Sequence, residues 1–267
     1  MRGISAKSLV DVLAQVDKSV GSDASALGDE LFGVVGALDN APALRRVLTD
    51  PSTETKAKES LAATVFGDKI SAATLKVLGT AVKGRWSSSR DLADGLETAG
   101  VTAHVIAADA AGKLDALESE LFDFNQVVVG NGELRLVITD RTVPLAPKVA
   151  LVGTLLDDLA SISVAALAKQ AVAARRGSFE KTIAVFAKLA ATRRKLLLAQ
   201  VRVAYELDAD EKQRLAAALA AKYGSEVHIN TIIDPSVVGG ISVSVGDEVL
   251  DGTISSRLED ARRRIAG

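Results

Sequence analysis

Part of this 267-residue chain is written twice in one ungapped register. Glu30-Leu31-Phe32 recurs as Glu120-Leu121-Phe122, and at the same offset of 90 residues Leu44-Arg45 matches Leu134-Arg135 and Val47 matches Val137. Thr49-Asp50 matches Thr139-Asp140, Lys58 matches Lys148, Leu61 matches Leu151, and Arg85 and Ser88 match Arg175 and Ser178. A fixed register with no gaps points to a tandem duplication, in which one order of elements is used twice.

Each copy has the punctuation of a helical bundle. Leu9, Val12, Leu13 and Val16 share one face of a helix expected over 8–20, and Leu27, Leu31, Val34, Val35 and Leu38 share the face of a second that Asp23 caps. Asp39-Asn40-Ala41-Pro42 ends that helix, a short helix follows to Leu48, and Asp50-Pro51 stops it. Ser52 or Thr53 starts the next, Ser71 opens a helix that reaches Trp86, and Ser88 caps the last. The second copy repeats this order from about Lys113 to Lys195, with Gly130-Asn131-Gly132 as its turn. Beyond it the period changes. Leu197, Ala199, Val201, Val203 and Tyr205 alternate with Leu198, Gln200, Arg202 and Ala204, the period of a half-buried strand. Asp208 and Glu211 form a capping box for a helix that Gly224 stops. Val227, Ile229, Thr231 and Ile233 give a second strand; Ile241, Val243 and Val245 give a third. Gly246-Asp247 leads into a fourth over 248–251, and Thr253 starts a closing helix with Ile254, Leu258, Ala261 and Ile265 on one side. The expected fold is therefore two tandem all-helical bundle domains, 1–108 and 109–195, followed by a small C-terminal α/β domain, 196–267.

Composition removes whole classes of function. The chain has no cysteine and two histidines, so thiolate chemistry and a polyhistidine metal centre are both excluded. Lys and Arg total 32 against 34 Asp and Glu, and aromatics are 3%, which leaves neither the basic excess nor the stacking rings of a nucleic-acid binder. No run approaches the about 18 uninterrupted apolar residues of a spanning helix, and the first residues lack a signal peptide's apolar core. Gly79 and Gly84 have phosphate-loop spacing, but Arg85-Trp86 stand where Lys and Ser/Thr are needed, within a helical pattern. Gly239-Gly240 reads as a tight turn needing positive backbone angles. Asp157-Asp158 and Asp208, Asp210 and Glu211 sit at helix ends as caps. His228 is expected on a strand's outer face, and His104, among Ala and Val on a helix, as a tolerated boundary residue and not a ligand. Trp86 is expected to plug a helix end, with a partner anchor as the alternative. One charge feature stands out: Lys169, Arg175, Arg176, Lys181, Lys188, Arg193, Arg194 and Lys195 are opposed only by Glu180. This run is either a solvated face or the seat of an acidic partner helix; Lys169, Arg175, Arg176, Lys188, Arg193 and Arg194 are its candidate partner-facing residues.

The C-terminal residues carry a family pattern. Asp234, Pro235, Val238, Gly239, Gly240, then a strand, Gly246, Asp247, Asp251, Gly252 and Thr253 closely resemble the signature of the delta subunit of F-type ATP synthase, the counterpart of the mitochondrial oligomycin-sensitivity-conferring protein. Thr253 stands where the family pattern has serine. Leu134-Arg135 through Asp140 to Lys148, then Arg175-Arg176, resembles the family's helical domain. An ordinary member has one such domain, so the extra first copy resembles the longer delta subunits of actinobacteria. The resemblance implies a non-catalytic stator subunit in a hetero-oligomeric complex, with no cofactor, no metal and no nucleic-acid partner. It implies that N-terminal helices of the alpha subunit dock on the helical part and that the end of the b-subunit stalk meets the C-terminal domain, both in the helix-in-groove mode. It also implies a peripheral position on the cytoplasmic face of the bacterial membrane, held there indirectly through the complex. On this reading each copy takes one alpha-subunit helix, or the first copy is a spacer against the stalk. Two readings from other classes stand beside it, a helical adaptor unrelated to the synthase and a small-molecule enzyme using the α/β domain.

Overall fold

The computed structural model describes residues 3–21, 23–140, 142–156, 159–175, 177–196, 198–205, 207–223, 227–234, 237, 239–245, 248–251 and 253. The chain divides into two units, residues 1–190 and 191–267. Helices run in the order α1 (Ile4–Ser19), α2 (Ala24–Asn40), α3 (Pro42–Thr49), α4 (Thr55–Phe66), α5 (Ala72–Lys83) and α6 (Ser89–Ala110). They continue as α7 (Leu114–Gly130), α8 (Gly132–Thr139), α9 (Leu145–Leu156), α10 (Ile162–Ala171) and α11 (Phe179–Leu196). The starts of α2 to α6 and of α7 to α11 stand 90 residues apart, pair by pair. Helix α1 begins four residues before the expected Ser8, because Ser5 is buried and bonds Asp91 at 2.5 Å, which extends the packed face N-terminally.

The repeated residues are largely the ones that end and begin helices. Glu30 reaches from α2 to the start of α5, where Oε2 accepts from Ser71 N at 2.9 Å, Ser71 Oγ at 2.8 Å and Thr74 Oγ1 at 2.5 Å. Glu120 repeats this from α7, accepting from Ser161 N at 3.0 Å before α10. Orphan amides at a helix start need such acceptors. Asp50 accepts from Ser52 N and Oγ at 2.8 and 2.7 Å, and Asp140 accepts from Thr142 N and Oγ1 at the same two distances. Those bonds hold both carboxyls below their ordinary value. Lys58 and Lys148 are both buried, and Lys148 Nζ donates to the carbonyls of Ile138, at 3.1 Å, and Asp140, closing the end of α8. Lys148 thus satisfies a local cap instead of facing solvent, and Lys58, equally buried, bears electrostatically on Asp50 as Lys148 does on Asp140.

Helix α6 joins the two halves of the first unit without a linker. Its first residues match the start of α11, and residues 94–109 fall 90 positions after α1. Every residue from Gly95 to Val101 is buried, as befits a helix packed on several sides. It contacts α1, α2, α3 and α5 on one hand and α7 and α10 on the other. The boundary expected at residue 108 therefore lies inside a continuous helix, and residues 1–190 form one compact unit. His104, expected on a helix as a boundary residue, does lie on a helix but is fully buried in α6. Its ring stacks on Phe32 at 5.4 Å and Nε2 lies 3.2 Å from Asp29 Oδ1. Gly28 makes the room, since a Cβ there would sit 2.5 Å from His104 Cδ2. The second half of the unit has its own core, with Leu117, Leu121, Val152, Leu167 and Phe186 buried and Phe124 edge-on to Phe179 at 6.0 Å.

The second unit holds β1 (Leu198–Val203), α12 (Ala209–Tyr223), β2 (His228–Ile233), β3 (Ile241–Val245) and β4 (Glu248–Asp251). Sheet order is β2-β1-β3-β4, parallel between β1 and β2 and antiparallel elsewhere. Val201, Val203, Val243 and Val245 turn to the side covered by Leu219 of α12. Val201 and Val203 are buried with Arg202 exposed between them, as the alternation has it, and Tyr205 is exposed. The capping box of α12 is complete: Glu211 N donates to Asp208 Oδ1 at 2.7 Å and Asp208 N to Glu211 Oε2 at 3.0 Å. The stop at Gly224, the residues of the Gly246-Asp247 turn, the closing helix after Thr253 and the side chain of His228 lie outside the described residues.

Two substitutions probe this architecture. Burial pushes the Glu30 carboxyl up, but the bonds from Thr74 and Ser71 more than offset it and hold the group below its ordinary 4.5. A carboxyl lowered on folding stabilises above its unfolded pKa, and that contribution is lost as pH falls through the folded value. Glu30→Ala is expected to cost about 1 kcal/mol at pH 7, a cap's usual worth. Urea unfolding followed by circular dichroism should show the gap between variant and parent closing below pH 4.5. In the second unit, Gly239 and Gly240 have φ of 113° and 82°. Gly240→Val is expected to lower stability by about 1–3 kcal/mol through backbone strain, read as a lower melting temperature by calorimetry.

Candidate docking surfaces

The signature residues shape the turns of the second unit. Asp234 N donates to Val203 O at 2.9 Å and Asp234 O accepts from Val237 N at 3.0 Å, which seats the end of β2 beside β1 before the chain turns back. Gly239 and Gly240 then lead into β3 in the left-handed region that the turn reading requires. Asp251 accepts from Thr253 N at 2.9 Å; backbone and side-chain bonds from Thr253 keep its carboxyl below the ordinary value. Thr253 itself is buried. Lys222 Nζ and Tyr223 OH at the end of α12 donate to Glu248 Oε1 and Oε2 at 2.6 and 2.8 Å and tie the helix to β4. Those two bonds, the lysine's first, hold Glu248 below its ordinary value. Pro235, Val238, Gly246, Asp247 and Gly252 lie outside the described residues. No group of three or more metal-ligating side chains occurs among the described residues.

The basic run does not form one surface. Lys169 is half-buried with its Cε packed over Gly153; Lys188 and Arg194 are exposed and Arg193 half-buried. Arg176 lies outside the described residues, as do Asp157 and Asp158. Arg175 corrects the expectation outright. Its side chain is 6% exposed and turns inward, pairing with Asp39 through Nη1 and with Asp94 through Nη2 at 2.6 Å. A guanidinium is desolvated in this way only where carboxylates replace its water. Trp86 is half-buried against the first core, donates Nε1 to Ala81 O at 2.8 Å and sits over Gly95, as the plug reading has it.

The apolar surface has the asymmetry that charge lacks. In the second half, Leu159 and Ile162 are 81% and 76% exposed and Leu136 is 69% exposed, with Phe122, Leu145 and Leu155 also open to solvent. Ninety residues earlier the first half places Lys69, Ala72 and Arg46 at the positions of the first three, and Thr55 at that of Leu145. Helix α9 presents Leu145, Ala146, Pro147, Ala150, Leu151, Thr154 and Leu155 outward with no charge among them, whereas α4 presents Thr55, Lys56, Ala57, Ser60, Ala63 and Thr64. Single exposed apolar residues are ordinary on a folded surface, but a face without charge marks a contact site. Sequence reading passed over this face because its residues kept helical spacing; comparing the two copies position by position exposes it.

Comparison with known proteins agrees with this division. The model of the ATP synthase delta (OSCP) subunit family matches residues 101–265, a stretch that begins inside α6 and takes in the second half of the first unit and the whole sheet. The ATP synthase subunit delta of Streptomyces avermitilis is 45% identical over 93% of this chain and 91% of its own length. Those of Streptomyces coelicolor and Thermobifida fusca are 42% and 40% identical over all of this chain, covering 98% and 100% of theirs, so the first helical half is common to these relatives. The capped helices, the glycine turn into β3 and this similarity along the whole length have one reading: the chain belongs to the ATP synthase delta (OSCP) subunit family, whose members are non-catalytic components of the stator.

Proposed function

We propose that this chain fastens the catalytic head of a proton-translocating F-type ATP synthase to its peripheral stalk, so that the head is held while the rotor turns. N-terminal helices of the alpha subunit dock on the helical unit, and the end of the b-subunit stalk meets the α/β unit. Among the described residues no helix is long and apolar enough to cross a membrane. Attachment to the cytoplasmic face of the membrane then runs through the complex. The two helix sets are copies of one domain that share α6, a reading supported by the 90-residue spacing of their helix starts.

The observation that carries the proposal is the uncharged outer face of α9 together with the exposed Leu159 and Ile162 that follow it. An amphipathic helix needs an apolar seat, and burying side chains such as Leu159 and Ile162 yields about 25 cal/mol per Å² of apolar surface. The second copy offers that seat, while the first copy presents Lys69 and Ala72 at the matching places. The first copy is therefore the weaker dock for the same helix, and two linked sites of unequal strength still gain from effective concentration.

Leu159→Glu combined with Ile162→Glu should weaken binding of an alpha-subunit N-terminal peptide at least about ten-fold in calorimetric titration, equal to about 1.4 kcal/mol. Ala72→Glu, at the matching place in the first copy, should leave that affinity within about two-fold, since surface changes away from a contact rarely exceed about 0.5 kcal/mol. Equal losses from both changes would mean that the two copies bind alike.

A further inference from the structure

The buried ionic cluster around Arg175 lies where the two helix sets meet. Arg175 is in the connection between α10 and α11, in a segment with two positive φ values, 47° at Ala174 and 118° at Gly177. An alanine seldom adopts such an angle unless its surroundings hold it there. The guanidinium faces three carboxylates from the first set and the shared helix: Asp39 at the end of α2, Asp94 at 2.6 Å and Glu97 at 3.4 Å, both in α6. Glu97 is fully buried and also accepts from Gln170 Nε2 of α10 at 2.9 Å. Arg45 of α3 donates to the other oxygen of Asp39 at 3.0 Å, and Arg90 of α6 donates to the Arg175 carbonyl at 2.8 Å.

The three carboxylates are not repeat residues. Ninety positions on, Asp39 becomes Val129, Asp94 becomes Ala184 and Glu97 becomes Ala187. Arg85, the counterpart of Arg175, is exposed. The duplicated residues build each set, and this cluster belongs to their junction alone. We infer that Arg175 is a positioning residue, a latch that fixes the second helix set against the first so that residues 1–190 move as one rigid body. Its rigid fork can hold Asp39 and Asp94 together, which a point-charged lysine cannot. Removing it takes the guanidinium away from the buried Glu97, and the junction opens to let water replace it at that carboxylate. The latch concerns the inner geometry of this unit and stands whichever subunits dock on it; on the stator reading, it passes load at one docking set to the other.

The chain has no cysteine, so two introduced thiols can be spin-labelled cleanly. Ala57→Cys on α4 with Ala150→Cys on α9 reports the distance between sets, and Ala43→Cys with Ala57→Cys reports within the first set; all three positions are exposed. In the full chain, electron-electron double resonance should give a narrow inter-set distribution. Arg175→Gln should broaden it about two-fold or more while the intra-set distribution stays narrow. Arg175→Lys, which keeps the charge and loses the fork, should fall between the two. Should Arg175→Gln broaden the intra-set pair as well, Asp94→Asn removes one arm of the latch at a quarter-exposed carboxylate and should broaden the inter-set distribution alone. An inter-set distribution as narrow as the parent's in either folded variant overturns the inference.

Discussion

Close packing along α6 is the constraint on which the rest of the helical unit depends. A helix of 22 residues is about 33 Å long, enough to serve two cores in succession. Its first turns close the bundle of α1 to α5, and its last turns occupy the place in the second set that α1 holds in the first. Because the helix does not break, the rise and rotation per residue fix where the second set begins. Small residues are the means: Ala93, Gly95, Ala99, Gly100 and Ala103 let neighbouring backbones approach, and Phe32 and Trp86 fill the space left over Gly100 and Gly95. Side chains of ordinary size at those glycines would meet these rings at 2.6 Å.

The positions that repeat at the 90-residue offset and those that differ belong to different residue classes. The pairs Glu30 and Glu120, Asp50 and Asp140 repeat because helix ends always leave backbone groups to be satisfied. Positions that face outward are free of that demand, and there the copies part: Lys69 and Ala72 against Leu159 and Ile162. A delta-family subunit has to hold partners without chemistry, and the same scaffold can present a polar face in one copy and an apolar face in the other without changing its core. Rigid seats of this kind suit a part whose work is to resist rotation.

In the α/β unit the signature has a backbone role. Gly239 and Gly240 carry angles that side chains rarely adopt, and Asp251 accepts from Thr253 N where β4 ends, a bond that Thr253 in place of the family's serine still makes through its backbone.

Helix starts, caps, the strand alternation and the glycine turn were legible in the residues, because each is decided within a few positions by propensity, periodicity and unsatisfied amides. The family pattern was legible for the same reason: its described residues, Asp234, Gly239, Gly240 and Asp251, act through local backbone bonds and angles. Three things were not. The unbroken course of α6 hides in an Ala- and Gly-rich run that marks no boundary. The burial of His104 depends on Gly28, on a different helix, vacating the space its ring fills. Arg175 reads as one cation in a basic run, and its carboxylate partner Asp94 stands 81 residues away. What the sequence by itself determined was the order of the described elements, their 90-residue spacing and the family; the tertiary structure decided which charges turn inward and which apolar face stays open, because burial and pairing depend on distances between residues that no local pattern encodes.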